Sequence, residues 1–384
     1  MTDRIAARPA WSVRLWQYRD NPHRGWTNRL FSDAEVIGAI DGAPIGPYTI
    51  TELAVPVGHE PGQPRPVLEL ASWFRDPEGE PSASGSAGWT GLLIHQEIAA
   101  LLSLVLGIRL RGDDPLIRRR LPDGRINTYE VAGRVVPSAP TPSWASPIIP
   151  GLSGRRADFA SVRGHLESLP RLSPQYTVQL VRAARQYADA LWIAEGEPEL
   201  AWLMLVSAVE VAATSHQVAT EDYTLLLKKK FPRAAEALLA AGGEELLAEA
   251  ATTEFTGLIN STSRFLNFAR TFRPGPPSLR TTDTAAQLSW SSGKMRDAFN
   301  KVYDHRSSRL HAGVAFPWPL LIPPPAAGDG LPAEVFAGGP YGSGDTTWPA
   351  AELPMTLALF AHLVRGMLLR WWTVMADEAA TGAG

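Results

Sequence analysis

The stretch Glu199-Leu-Ala-Trp-Leu-Met-Leu-Val-Ser-Ala-Val-Glu-Val-Ala-Ala-Thr-Ser215 decides the fold class, because Leu200, Trp202, Leu203, Leu205, Val206, Val209 and Val211 leave it almost no polar face. A helix that is apolar all round must be enclosed by other helices, so this segment is expected at the centre of a bundle. The segment before it, Tyr176 to Glu195, has Leu180, Ala184, Tyr187, Ala188, Leu191 and Trp192 on one face. Gly196-Glu197-Pro198 then stops it and starts the next helix with proline in the first turn. The two make an αα-hairpin.

Helical periodicity continues outward from this hairpin to the end of the chain. Helices are expected over Glu221 to Phe231, Pro232 to Ala241 (ended by Gly242-Gly243), Glu244 to Phe272 (broken at Pro274-Gly275-Pro276-Pro277), Ser291 to His311 (stopped at Gly313) and Leu353 to Ala376. Proline and glycine dominate between Phe316 and Trp348, a long surface excursion. Toward the N-terminus the period changes. Short β-like runs are expected at Trp11 to Gln17, Val36 to Ile40, Tyr48 to Val57, Val67 to Phe74 and Tyr129 to Val136, with a loop over Asp76 to Gly88 and one helix over Trp89 to Leu110. Pro137 to Gly154 holds five prolines, which keep a chain extended, and the domain boundary is placed there. The expected architecture is an α+β N-terminal module over 1–150 followed by an all-α helical bundle over 155–384.

Composition narrows the chemistry. Of 384 residues 45% are apolar and 20% charged, and Lys+Arg 36 against Asp+Glu 39 leaves a net charge of −3, too balanced for indiscriminate nucleic-acid coating. With no cysteine, thiolate metal sites, disulfides and cysteine nucleophiles are excluded together. The eight histidines are scattered without H-E-x-x-H spacing, so no metal and no cofactor is expected, and neither a G-x-x-x-x-G-K-[ST] nor a G-x-S-x-G motif occurs. The most apolar segment, Leu357 to Met375, carries His362, Arg365 and Arg370. A soluble cytoplasmic protein without a membrane partner is expected. Two compact basic clusters, Lys228-Lys229-Lys230 with Arg233 and Arg118-Arg119-Arg120, could steer RNA or simply be solvated surface charge.

One segment carries candidate chemistry: Tyr303-Asp304-His305-Arg306-Ser307-Ser308-Arg309-Leu310-His311-Ala312-Gly313. An R-x4-H spacing alone is expected about once by chance in such a chain, so its place at the end of an apolar helix, before a glycine stop, is what matters. With Ala208-Val209-Glu210-Val211 in the central helix and a final helix after an irregular stretch, the region from about 155 to 384 resembles a HEPN domain of the Apea-like kind. That resemblance implies a metal-independent endoribonuclease acting in antiphage defence or as a toxin-like RNA-cleaving enzyme. It also implies a homodimer joined through the helical domain, RNA as partner, an antitoxin or phage-derived trigger, and Arg306 and His311 as catalytic residues. The residue after the arginine is Ser307, where active relatives often carry Asn, Asp or His.

Metal-free RNA cleavage needs a proton acceptor for the 2′-hydroxyl, a proton donor for the departing 5′-oxygen and a cation beside the phosphorane. An imidazole such as His311 exchanges protons near neutrality, and the fork of Arg306 suits phosphate oxygens. Five helical residues turn about 140°, so convergence is easier across a two-fold axis. Alternatives stand at each position. His311 could cap helix carbonyls; His305 and Arg309 could grip phosphates or be solvated; Asp304 could orient a histidine or be exposed. Glu210, a carboxylate inside an apolar run, requires a partner, either Arg306 or another base. The competing function is a non-catalytic binding and dimerisation protein with a sensing N-terminal module.

Overall fold

The computed structural model describes residues 10–14, 16, 24–38, 44–54, 63–74, 89–112, 116–120, 126–130, 146–215 and 223–381. After a single turn, α1 (Trp11–Arg14), the chain lays down β1 (Arg24–Ser32), β2 (Glu35–Ile37), β3 (Tyr48–Glu52) and β4 (Arg65–Phe74), then α2 (Ile94–Leu106), β5 (Arg111–Gly112), β6 (Leu116–Arg120) and β7 (Ile126–Glu130). The sheet runs β3-β4-β1-β6-β7 with β5 also on β1, and its pairs are antiparallel, with Leu30 opposite Leu68 and Asn28 opposite Leu70.

Several N-terminal expectations are corrected. Of the run expected from Trp11 to Gln17, Trp11–Arg14 forms a helical turn and not a strand: Val13 and Arg14 donate to the Ala10 carbonyl, and the buried Glu97 carboxylate accepts from the Ser12 amide at 2.7 Å, while residues 15 and 17 lie outside the described residues. The central strand β1 was not expected, because it carries Asn28 and Arg29 among its apolar residues while hydrogen-bonding on both edges. The helix expected from Trp89 starts only at Ile94, after Gly91 at φ +80°. Strand β7 begins ahead of the expected Tyr129 to Val136 run and shares Tyr129 and Glu130 with it; residues 131–136, residues 39–40 and 55–57 of the expected strands, and the expected loop over 76–88 lie outside the described residues.

After β8 (Arg156–Asp158) the chain is mostly helical: α3 (Ala160–Ser168), α4 (Pro174–Ile193), α5 (Pro198–Ala213), α6 (Tyr223–Lys230), α7 (Pro232–Thr252), α8 (Thr256–Thr271), α9 (Ser292–Ala312) and α10 (Leu357–Thr381), with a hairpin of β9 (Tyr341–Ser343) and β10 (Thr346–Trp348) before the last. The apolar α5 packs against α4, α8, α9 and α10, the central place its composition demands. Trp202, fully buried, stacks between Phe316 and Phe360 and donates its indole N–H to the Leu320 carbonyl at 2.9 Å. The Pro/Gly-rich excursion is therefore not all surface: Phe316, Leu320 and Phe336 reach into the core. The helix expected over Glu244 to Phe272 is two. The span α7 leaves helical geometry at Gly242-Gly243, where the Pro232 to Ala241 helix was expected to end, resumes to Thr252, and Phe255 turns in against Phe231 beside a small satellite core of Leu227, Leu247 and Ala251. One helical segment, Ala350–Thr381, is long and apolar enough to cross a membrane, and 67% of its apolar window is buried within the protein. Its polar groups make tertiary bonds: Arg365 to the Leu104 and Val105 carbonyls, Arg370 to that of Arg273, His362 to that of Gly275.

One hydrophobic core runs from Ala10 to Ala376, so the sheet-bearing part and the bundle pack as a continuous unit. β2 pairs in parallel with β8 across the segment where the boundary was placed. Residues 137–145 of that segment lie outside the described residues, but Ile148, Ile149 and Leu152 are buried, and Glu195 accepts from the Ile148 and Ile149 amides at 2.9 and 3.4 Å. Gly107 closes α2 at φ +68°, and Arg365 sits 2.9 Å from where a Cβ would be. Only glycine suits both the backbone and that approach.

Candidate functional site

α9 buries Met295, Ala298, Phe299, Val302 and Tyr303, a stripe at three- and four-residue spacing. Arg306 falls next on that stripe, so the helix carries its guanidinium into the seam with α5. There its Nη2 meets Glu210 Oε2 at 2.7 Å, and the Tyr303 hydroxyl donates to Glu210 Oε1 at 3.1 Å. The guanidinium carbon lies 5.6 Å from the centre of the Tyr303 ring, a cation–π distance. Arg306 and Glu210 keep 19% and 21% of their side-chain surface exposed, so the pair is within reach of solvent. Arg306 Nε is buried without a hydrogen-bond partner among the described residues, which leaves part of the fork unused. Burial pushes the Tyr303 phenol up, with the Glu210 charge adding to it, so it stays a donor.

Arg309 is held as well. Its Nε lies 2.9 Å from Glu199 Oε2, while Glu199 Oε1 accepts the Phe316 amide at 2.8 Å. Of the two residues that could grip phosphates or be solvated, Arg309 has a carboxylate partner, and His305 is half-buried with its ring 5.8 Å from that of Phe316. Burial lowers the His305 imidazole below its ordinary value, opposed by a bond to the Glu352 backbone. Asp304 is exposed.

His311 lies in the exposed last turn of α9, and no hydrogen bond or ion pair holds its ring among the described residues. The helix stays regular to Ala312 and is closed by Gly313 at φ +68°, whose N–H goes to the Ser308 carbonyl. With no loosened turn, Arg306 and His311 stand about 140° apart around the axis and about 7.5 Å apart along it. Within one chain they do not converge.

Of the basic clusters, Lys228 pairs with Glu244 at 2.8 Å, Lys229 and Arg233 are exposed, and the side chains of Lys230 and Arg118 to Arg120 lie outside the described residues. A cleft of about 1000 Å³ opens on another face, lined by His165, Tyr176, Phe272, Arg370, Met375 and Glu378 among others; no residue of the R-x4-H segment lines it. Trp371 and Trp372 are core residues, each 1% exposed. Among the described residues no three of His, Cys, Asp or Glu gather as a metal site would require.

Sequence reasoning offered Arg306 as one of two kinds of partner for Glu210 but missed Glu199, Phe316 and the donor role of Tyr303. A signal existed: eleven residues are about three turns, so Glu199 and Glu210 share one face of α5 opposite two arginines three residues apart. Compared with known proteins, the chain matches no family model, no curated protein and no solved structure.

Proposed function

We propose that the chain is a metal-independent endoribonuclease of the HEPN type, working as a homodimer in the cytoplasm on RNA, in antiphage defence or toxin-like cleavage under control of an antitoxin or phage-derived trigger. The observation that carries this reading is the one-fifth-exposed Arg306 held by Glu210 at 2.7 Å at the end of α9, in a mostly helical region. A guanidinium oriented by a carboxylate and still partly accessible is suited to the developing charge of a phosphorane. His311, exposed, would exchange protons with the 2′-hydroxyl or the leaving 5′-oxygen. The products would carry a 2′,3′-cyclic phosphate and a 5′-hydroxyl. Because the two groups diverge on one helix, the site is completed by the second copy's motif.

The test is cleavage of RNA by the purified full chain. Arg306→Ala and His311→Ala should each abolish cleavage with an unchanged circular dichroism spectrum, and EDTA should not inhibit; activity retained in either variant removes that residue from the site.

A non-catalytic binding protein is the second reading. It draws support from the pairing of both Arg306 and Arg309 with carboxylates, which leaves the tip of α9 little net positive charge for a polyanion. Overexpression separates the two: growth arrest relieved by Arg306→Ala belongs to a nuclease, and toxicity indifferent to that substitution to a scaffold.

A further inference from the structure

The His311 side chain makes no bond among the described residues, yet a proton-transferring side chain must be held to within a fraction of an ångström to be effective. What fixes it must therefore act on the backbone around it. Glu199 is placed to do so. One of its oxygens lies 2.9 Å from Arg309, two residues before His311, and the other accepts the Phe316 amide, five residues after it, at 2.8 Å. The carboxylate thus brackets the end of α9, the Gly313 stop and the return of the chain. Phe316 is itself anchored, 3% exposed and stacked on Trp202 with ring centres 6.0 Å apart, so the far end of the bracket rests on the core. Glu199 stands at the first turn of α5, the helix that also supplies Glu210.

We propose that Glu199 is a positioning residue for His311. One helix would then set both halves of the site, with Glu210 orienting Arg306 and Glu199 holding the turn that presents the imidazole. The proposal rests on the ribonuclease reading for its catalytic consequence, but its structural half can be read without any substrate.

The experiment compares the full-length wild type with Glu199→Ala and Glu199→Gln by hydrogen-exchange mass spectrometry over residues 308–316 and by steady-state RNA cleavage. Glu199→Ala should speed exchange in that segment and lower kcat by about tenfold, the factor of one charge-assisted hydrogen bond, with KM within about twofold. Glu199→Gln keeps an oxygen for the Phe316 amide, so its exchange should stay near wild type while kcat falls by about threefold through loss of the Arg309 ion pair. Unchanged exchange in Glu199→Ala, or faster exchange with unchanged kcat, overturns the proposal. If Glu199→Ala does not fold, Glu199→Gln decides: wild-type kcat in that variant overturns it. If the wild type cleaves no RNA, the ribonuclease reading falls instead; if cleavage survives His311→Ala, His311 leaves the site and the positioning role is overturned; in either case the exchange comparison still decides whether Glu199 holds the tip.

Discussion

Two arginine–carboxylate constellations in this molecule use the same chemistry at different depths. Arg109 bonds Asp33 at 2.6 Å and the Leu191 carbonyl at 2.8 Å, lies 3.6 Å from Glu195, and like Asp33 is almost wholly buried, at 3% and 1% side-chain exposure. Arg306 and Glu210, at nearly the same separation, are about one-fifth exposed. The deep cluster ties β1's end, the stretch after α2 and the end of α4 into one body, and its charges are consumed by that task. The shallow pair orients a guanidinium without enclosing it. Depth separates a charge pair enclosed by the fold from one that solvent reaches.

The contrast is most exposed to test through stability. Asp33→Ala leaves the buried Arg109 charge with only the more distant Glu195 carboxylate and should cost about 3 kcal/mol in urea unfolding. Glu210→Gln, partly solvated and still able to accept a bond, should cost about 1 kcal/mol or less. Equal losses would break the comparison. Because the core is continuous, the wild type should unfold in a single transition.

The two helix-ending glycines sharpen it further. Gly107 and Gly313 share φ +68°, but a Cβ at Gly107 meets Arg365 at 2.9 Å, whereas nothing lies within 4 Å at Gly313. Gly313→Ala should cost about 1 kcal/mol of left-handed strain, and Gly107→Ala, with the added collision, about 2–3 kcal/mol. Similar losses in thermal melts would mean that Arg365 moves freely and that the joint is looser than described.

The smallest effect is a dependence on pH. Burial lowers His305, beside the shallow pair, and His362, on α10, below 6.5. A histidine with a lowered folded value binds fewer protons folded than unfolded, so its contribution is intact above about pH 6.5 and is lost as pH falls through the folded value. The melting temperature should therefore decline between pH 7 and 5, and His305→Gln or His362→Gln should each flatten that decline. Asp329, held at about 2 chiefly by the Thr282 amide, acts in the same direction only below its ordinary 3.8.

The helical half was largely legible, since α4 follows a clear 3.6-residue period, α5 is apolar nearly all round, and α4, α5 and α9 carry proline or glycine at their ends. Strand β1 was not, because its polar residues hide a strand paired on both edges, and the β2–β8 pair joins segments some 120 residues apart that no local pattern connects. In the site, Glu210 announced itself as a carboxylate among apolar neighbours. Glu199 did not: an acid in a helix's first turn is expected on dipole grounds alone, and that ordinary explanation masks its tertiary role.

The account's central claim is that one chain's Arg306 works with the other's His311. Mixing inactive Arg306→Ala and His311→Ala chains under conditions of subunit exchange tests it most directly. Half of the dimers would be mixed, each with one intact composite site of two, so the account predicts recovery of about one quarter of wild-type cleavage. A mixture that exchanges subunits yet stays as inactive as either parent would contradict it.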